Sequence, residues 1–145
     1  MGNVVKELND LNKCINKYIS NGNDLLKIFN LTQIHIIGYL LQHEGEEVCQ
    51  KDLEIETNLK KASITGCIDS LVDKNIVYRK QSETDRRKNY IYLTETALKH
   101  KKDFEDRGNL LNNKIIENIS KKDLKIFYNV LDSIRNNIKE ISKWS

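Results

Sequence analysis

Apolar residues at both ends of the chain recur every three or four positions, the repeat of an α-helix that presents one apolar stripe. Near the start, Val4, Leu8, Leu11, Ile15 and Tyr18 make a narrow stripe; toward the other end Leu124, Phe127, Leu131, Ile134, Ile138 and Ile141 sustain the same stepping. Stripes this regular pack against other helices. Ser120, followed three residues later by Asp123, reads as a capping box in which the shorter Asp replaces Glu, and marks the start of the last helix. The chain contains no proline, so long helices run without a built-in break.

Between these ends the pattern predicts a compact series of shorter elements. Thr32 to His43 is expected to be a helix with Ile37, Leu40 and Leu41 inward, stopped by the turn Glu44-Gly45-Glu46. Gln50 to Thr57 is a shorter helix, followed by the brief link Asn58-Leu59 and a third helix over Lys60 to Lys74. Ile64, Ile68, Leu71 and Val72 define the buried face of that third helix, and its opposite face is small and polar. Asn75 stands where a helix end needs a left-handed residue, for which Asn is the usual substitute for Gly. Val77 to Gln81 and the alternating run Tyr90-Ile91-Tyr92-Leu93 are the two arms of a hairpin, with Ile91 and Leu93 on one side of the pleat and the tyrosines on the other. A further helix begins at Thr94 or Glu95 and runs through Leu98, Phe104 and Leu110.

Charge changes the picture of the hairpin. Net charge is only +3, but residues 59–90 hold eight basic side chains against four acidic ones, so the rest of the chain sums to about −1. All the excess positive charge therefore lies in one segment, as a localised nucleic-acid footprint requires. Three of the five arginines (Arg79, Arg86 and Arg87) fall in the hairpin, where a planar guanidinium can enter a narrow groove or grip phosphate bidentately. Arms of four to five residues reach roughly 13–17 Å at about 3.3 Å per residue, enough to extend from the body of the domain to a neighbouring minor groove. A short helix, a tight link, a second helix with slim polar residues and then a basic hairpin constitute a winged helix-turn-helix.

Several function classes find no support. No apolar run approaches the roughly 20 residues of a membrane span, and Met1 to Lys6 lacks a signal-peptide core, so a cytoplasmic protein is expected. Cys14, Cys49 and Cys67 are an odd number without a close pair, which suggests neither a disulfide framework nor a zinc knuckle. There is no phosphate-binding glycine loop, nucleophile elbow or HExxH run, so no enzyme and no cofactor is expected.

The runs Leu31-Thr32-Gln33, Gln50-Lys51-Asp52-Leu53, Ser63-Ile64-Thr65-Gly66, Leu71-Val72-Asp73-Lys74-Asn75, Asp85-Arg86-Arg87 and Leu93-Thr94 together resemble the MarR family of bacterial transcriptional regulators. The likeness spans nearly the whole chain, and the wing motif with its following Leu-Thr is its most specific part. It implies a mainly α fold with a small β-hairpin wing: one MarR-like domain over 1–145, with 31–94 the DNA-binding winged region and 1–30 and 95–145 the dimerisation helices. It further implies a homodimer on a pseudo-palindromic operator and ligand-responsive repression by a small-molecule effector. Leu8, Leu11, Ile15, Leu124, Phe127, Leu131, Ile134 and Ile138 would supply the dimer contacts, since their seams are too long to be satisfied by a small winged domain alone; pairing of the two terminal helices within one subunit is the competing arrangement.

For the DNA face, Ser63, Thr65 and Gly66 are slim enough to let the third helix settle into a major groove. Gln50, Lys51, Lys60 and Lys61 stand at helix starts suited to phosphate. Arg79, Lys80, Asp85, Arg86, Arg87 and Lys88 form the wing contribution. By resemblance, Asp85 pairs with Arg87 to shape the tip, and Lys60 stands where family members carry a capping Ser or Asp. Three other readings stay open: a thiol-based sensor using Cys14, for which packing in the core is the competing role; a metal sensor drawing on the scattered His35, His43, Cys49 and His100; and a winged-helix module that binds protein.

Overall fold

The structure, a computed structural model, describes residues 2–143. The chain divides into two compact units, one ending at Leu110 and the other beginning at Leu111. The first holds α1 (Val4–Ser20), a 3-10 turn (Leu25–Ile28), α2 (Leu31–Gln42), α3 (Gln50–Thr57), α4 (Lys61–Asp73), β1 (Val77–Gln81), β2 (Asn89–Leu93) and α5 (Glu95–Lys99). Helix α6 (Lys101–Ile115) runs past the boundary, and α7 (Lys121–Ser142) lies wholly in the second unit. No helix among the described residues is long and apolar enough to cross a membrane.

Side chains from α2, α3, α4 and the hairpin converge on one core: Ile36, Ile37, Leu53, Ile64, Ile68, Leu71, Val77 and Ile91 are all fully buried. Burying each aliphatic side chain stabilises the fold by about 1.5–3 kcal/mol. One amide shares this interior. Gln33 closes a capping box with Asn30 at the start of α2, and its Nε2 donates to Ser70 Oγ of α4 at 3.0 Å, so the buried polar group ties two helices together.

Left-handed residues set the directions of the chain. Asn75, at φ 57°, ends α4 and releases the chain into β1, while Asn58, at φ 56°, makes the sharp turn between α3 and α4. Strands β1 and β2 are antiparallel, with Val77 opposite Leu93 and Tyr78 opposite Tyr92. The tyrosine pair stacks at 5.5 Å between ring centroids on the outer face. The other edge of β2 is also covered, because Ile91 N–H donates to Val48 O at 2.7 Å and Cys49 bridges Tyr90.

Four local features differ from the sequence expectation. Val72, expected inward, is exposed, because it lies about 100° around the helix from buried Leu71. The helix after the hairpin is interrupted at His100, whose N–H donates to Ala97 O at 3.0 Å and closes a tighter turn that ends α5. The 3-10 turn, capped by Asp24, has no periodic signature because it is barely one turn long. Finally, α4 begins at Lys61 with Lys60 as an N-cap that makes no side-chain bond. Replacing Lys60 by Ser should therefore stabilise the fold by about 0.5–1 kcal/mol in urea unfolding; no gain would mean that the N-terminal amides of α4 are already satisfied.

In α7, Ser120 Oγ accepts from Asp123 N–H at 3.0 Å, which supplies the N-cap half of the predicted capping box. No described residue of this helix is buried. Leu124, Leu131 and Ile134 are half-buried; Phe127, Ile138 and Ile141 are exposed, and so are Ile126, Tyr128 and Val130 outside the predicted seam. Helix α1 likewise exposes Val4, Val5, Leu8, Leu11 and Tyr18, with Ile15 half-buried and only Ile19 buried.

Candidate nucleic-acid interface

The wing tip is a braced loop. Ser82 N–H donates to Lys88 O at 2.9 Å, and the buried Ser82 hydroxyl accepts from Thr84 and Asp85 N–H groups at 3.2 Å each. Gln81 Nε2 donates to Arg86 O at 2.8 Å. Asp85 Oδ1 accepts from the Arg87 backbone N–H at 3.0 Å and from Arg87 Nε at 3.2 Å, which is the pairing that the resemblance implies. That backbone bond first, and the guanidinium second, hold the Asp85 carboxyl below the ordinary carboxylate range. Asp85 therefore shapes the tip as an acceptor and leaves most of Arg87 free: its side chain is 91% exposed. Arg86 and Lys88 are exposed beside it.

Helices α3 and α4 face the same region. Gln50, Lys51 and Lys61 line one cleft of about 340 Å³ together with Cys49, Glu54, Arg87, Lys88 and Asn89, and Lys51 Nζ lies 4.0 Å from the Glu54 carboxylate. The side chains assigned to helix starts and to the wing, far apart in sequence, are thus brought to a common border. Lys60, Ser63 and Gly66 are exposed on α4, and Lys80 is exposed on β1. An added side chain at Gly66 would meet nothing within 4 Å, so the glycine leaves open space on the outer face of the helix.

Three assigned residues are engaged within the protein. Gln50 Nε2 donates to Thr65 Oγ1 at 2.8 Å, and both residues are half-buried. Arg79, only 28% exposed, places Nη2 at 2.6 Å from Asp69 Oδ1. The sequence gives no reason to single out Asp69, because an acid on a solvated helix face carries no binding signal by itself. The arginine ten residues later is the only hint, and it becomes meaningful once the hairpin folds back.

The residues of the alternative sensor readings lie apart. Cys14 is exposed, against the expectation of a core thiol, because its helix turns that face outward. His35 pairs with Glu56 at 3.1 Å and His43 with Glu46 at 2.8 Å. Among the described residues no group of three or more His, Cys, Asp and Glu side chains is placed to hold a metal ion.

Comparison with known proteins agrees with this architecture. The HTH-type transcriptional regulator YdgJ of Bacillus subtilis is 25% identical over 101 residues, covering 70% of this chain but 62% of YdgJ. The HTH-type transcriptional regulator SarR of Staphylococcus aureus is 27% identical over 97 residues, covering 63% of this chain and 84% of SarR. Among solved structures, the S. aureus MepR–DNA complex superposes with a TM-score of 0.81 over 94% of this chain and 99% of MepR, at 16% identity. The fold recurs in structures of MarR and SlyA regulators, so the winged helix-turn-helix architecture is that of the MarR type. The profile of the family described as "Transcriptional regulator SarA/Rot" matches residues 7–104, well over half of the sequence, and the chain belongs to this family of winged-helix transcriptional regulators.

Proposed function

We propose that the protein is a homodimeric repressor that binds a pseudo-palindromic duplex through α4 and the wing and releases it when a small molecule binds. The observation that carries the reading is the shared border of Gln50, Lys51, Lys61, Arg87 and Lys88. Cations from two helix starts and a braced loop collect there, as contact with consecutive phosphates requires. Ser63, Thr65 and Gly66 would enter the major groove, with Lys60 and Lys80 at its edges, while Arg86 and Arg87 would reach the adjacent minor groove. The MepR–DNA complex shows that a protein of this fold binds DNA.

Dimerisation is supported by the outward apolar residues of α1 and α7, which a second copy would cover. Isolated, they would be an association hazard. Effector release is supported by a separate crevice of about 340 Å³, whose walls include Leu26, Ile37, Gly38, Leu41 and Phe104 and whose rim carries Gln42 and Glu105.

The direct test is Arg87→Ala, assayed by titrating a duplex selected from random sequence. One lost groove contact per arm should weaken binding by about 1–3 kcal/mol per arm. With about eight phosphate contacts per dimer, log affinity should fall with log salt at a slope near about −7. Unchanged affinity and slope in the variant would remove the wing from the interface.

A further inference from the structure

Arg79 belongs by charge with the phosphate-binding cations, yet its guanidinium is turned inward. From β1 it donates to Asp69 Oδ1 of α4 at 2.6 Å and makes a longer contact with Thr65 O at 3.4 Å. On the other side of the same helix turn, Thr65 Oγ1 receives Gln50 Nε2 from α3 at 2.8 Å. Thr65 is thus held at its hydroxyl by the preceding helix and at its carbonyl by the wing strand. Asp69, one turn further on and 58% exposed, fixes the arginine.

We propose that Arg79 and Asp69 form a positioning brace that sets the angle between wing and recognition helix, and that Arg79 does not bind phosphate. The proposal rests on the DNA-binding reading above. Helix and wing must enter neighbouring grooves together, and a site built from two elements functions only if both are held close to the productive geometry. A wing free to swing would lose conformational freedom on binding, and a preset wing avoids that cost. The brace also accounts for an acid on the outer face of α4. Near phosphates a lone carboxylate would repel the ligand; paired with Arg79 it is neutralised and becomes an anchor.

The two roles predict opposite signs. If electrostatics alone mattered, Asp69→Asn would strengthen DNA binding by removing a negative charge, and Arg79→Gln would flatten the salt dependence by about one contact per arm, about two per dimer. If the pair is a brace, both variants weaken binding to the preferred duplex and neither changes the salt slope.

The experiment uses the full chain with a duplex recovered by selection against the wild-type protein and a shuffled duplex of equal length. Affinities for both are measured from 50 to 200 mM salt for wild type, Arg79→Gln, Asp69→Asn, the double variant and Arg79→Lys. The brace predicts that each single variant lowers the selected-to-shuffled affinity ratio about tenfold, in the range of coupling seen for contacting pairs. It also predicts a double variant no worse than the poorer single one, partial recovery in Arg79→Lys, and slopes within about half a unit of wild type. Tighter binding by Asp69→Asn with a flattened slope in Arg79→Gln overturns the brace in favour of a phosphate contact. Unchanged ratios in both single variants overturn it in favour of an idle surface pair. A wild-type protein that prefers no selected duplex overturns the DNA-binding reading itself, and the brace with it.

Discussion

Glutamate at both Phe127 and Ile138 is expected to convert the proposed homodimer to a monomer at micromolar concentration and to lower its apparent affinity for a two-half-site duplex by about 10²–10⁴. The two residues are 47% and 56% exposed, so the single chain loses little packing when they become charged. In a dimer the same positions would bury four carboxylates in an apolar seam, where an unpaired charge costs far more than the apolar contact it replaces. The lost affinity is avidity: once two winged domains no longer share a scaffold, the second half-site is not held at high local concentration. Sedimentation velocity reads the mass, circular dichroism checks that helicity survives, and titration reads the affinity. A doubly substituted protein that sediments as a dimer, or a monomer with undiminished affinity, would show that α7 is not the assembly element.

Truncating Ile68 to alanine is expected to destabilise the protein by about 2–5 kcal/mol, a large share of the roughly 5–15 kcal/mol that separates folded from unfolded domains. Ile68 is 0% exposed and lies with Ile64 and Leu71 on the inner face of α4. Removing its outer carbons leaves a cavity walled by side chains from several elements, which cannot all move in to fill it. With a urea dependence of about 1–3 kcal/mol per molar, the unfolding midpoint should fall by about 1–2 M. A loss below about 1 kcal/mol would mean that α4 is anchored elsewhere, through Gln33–Ser70 or Arg79–Asp69.

Both predictions draw on patterns that local physics writes into the chain. The amphipathic repeats of α1 and α7, the alternation of β2, the left-handed Asn75 and the Ser120 cap each depend on residues within a few positions of one another. Local steric and hydrogen-bonding preferences suffice to express them, so they were readable without the fold. The wing motif is of the same kind, since Asp85 reaches Arg87 across a single residue.

The amino-acid sequence by itself determined the order of the main helices and the hairpin, the winged helix-turn-helix class, the regulator family, and the concentration of positive charge between residues 59 and 90. Only the tertiary structure decided which of those charges stay free. Arg79 and Arg87 look equivalent in the chain, but one is 28% and the other 91% exposed at the side chain. The difference arises because the hairpin lays β1, and not the tip, against α4, where Asp69 waits. The Gln50–Thr65 bond and the interruption at His100 were equally hidden. A contact between residues ten or fifteen positions apart depends on how elements pack, and packing is a collective outcome of the core that no local pattern of residues encodes.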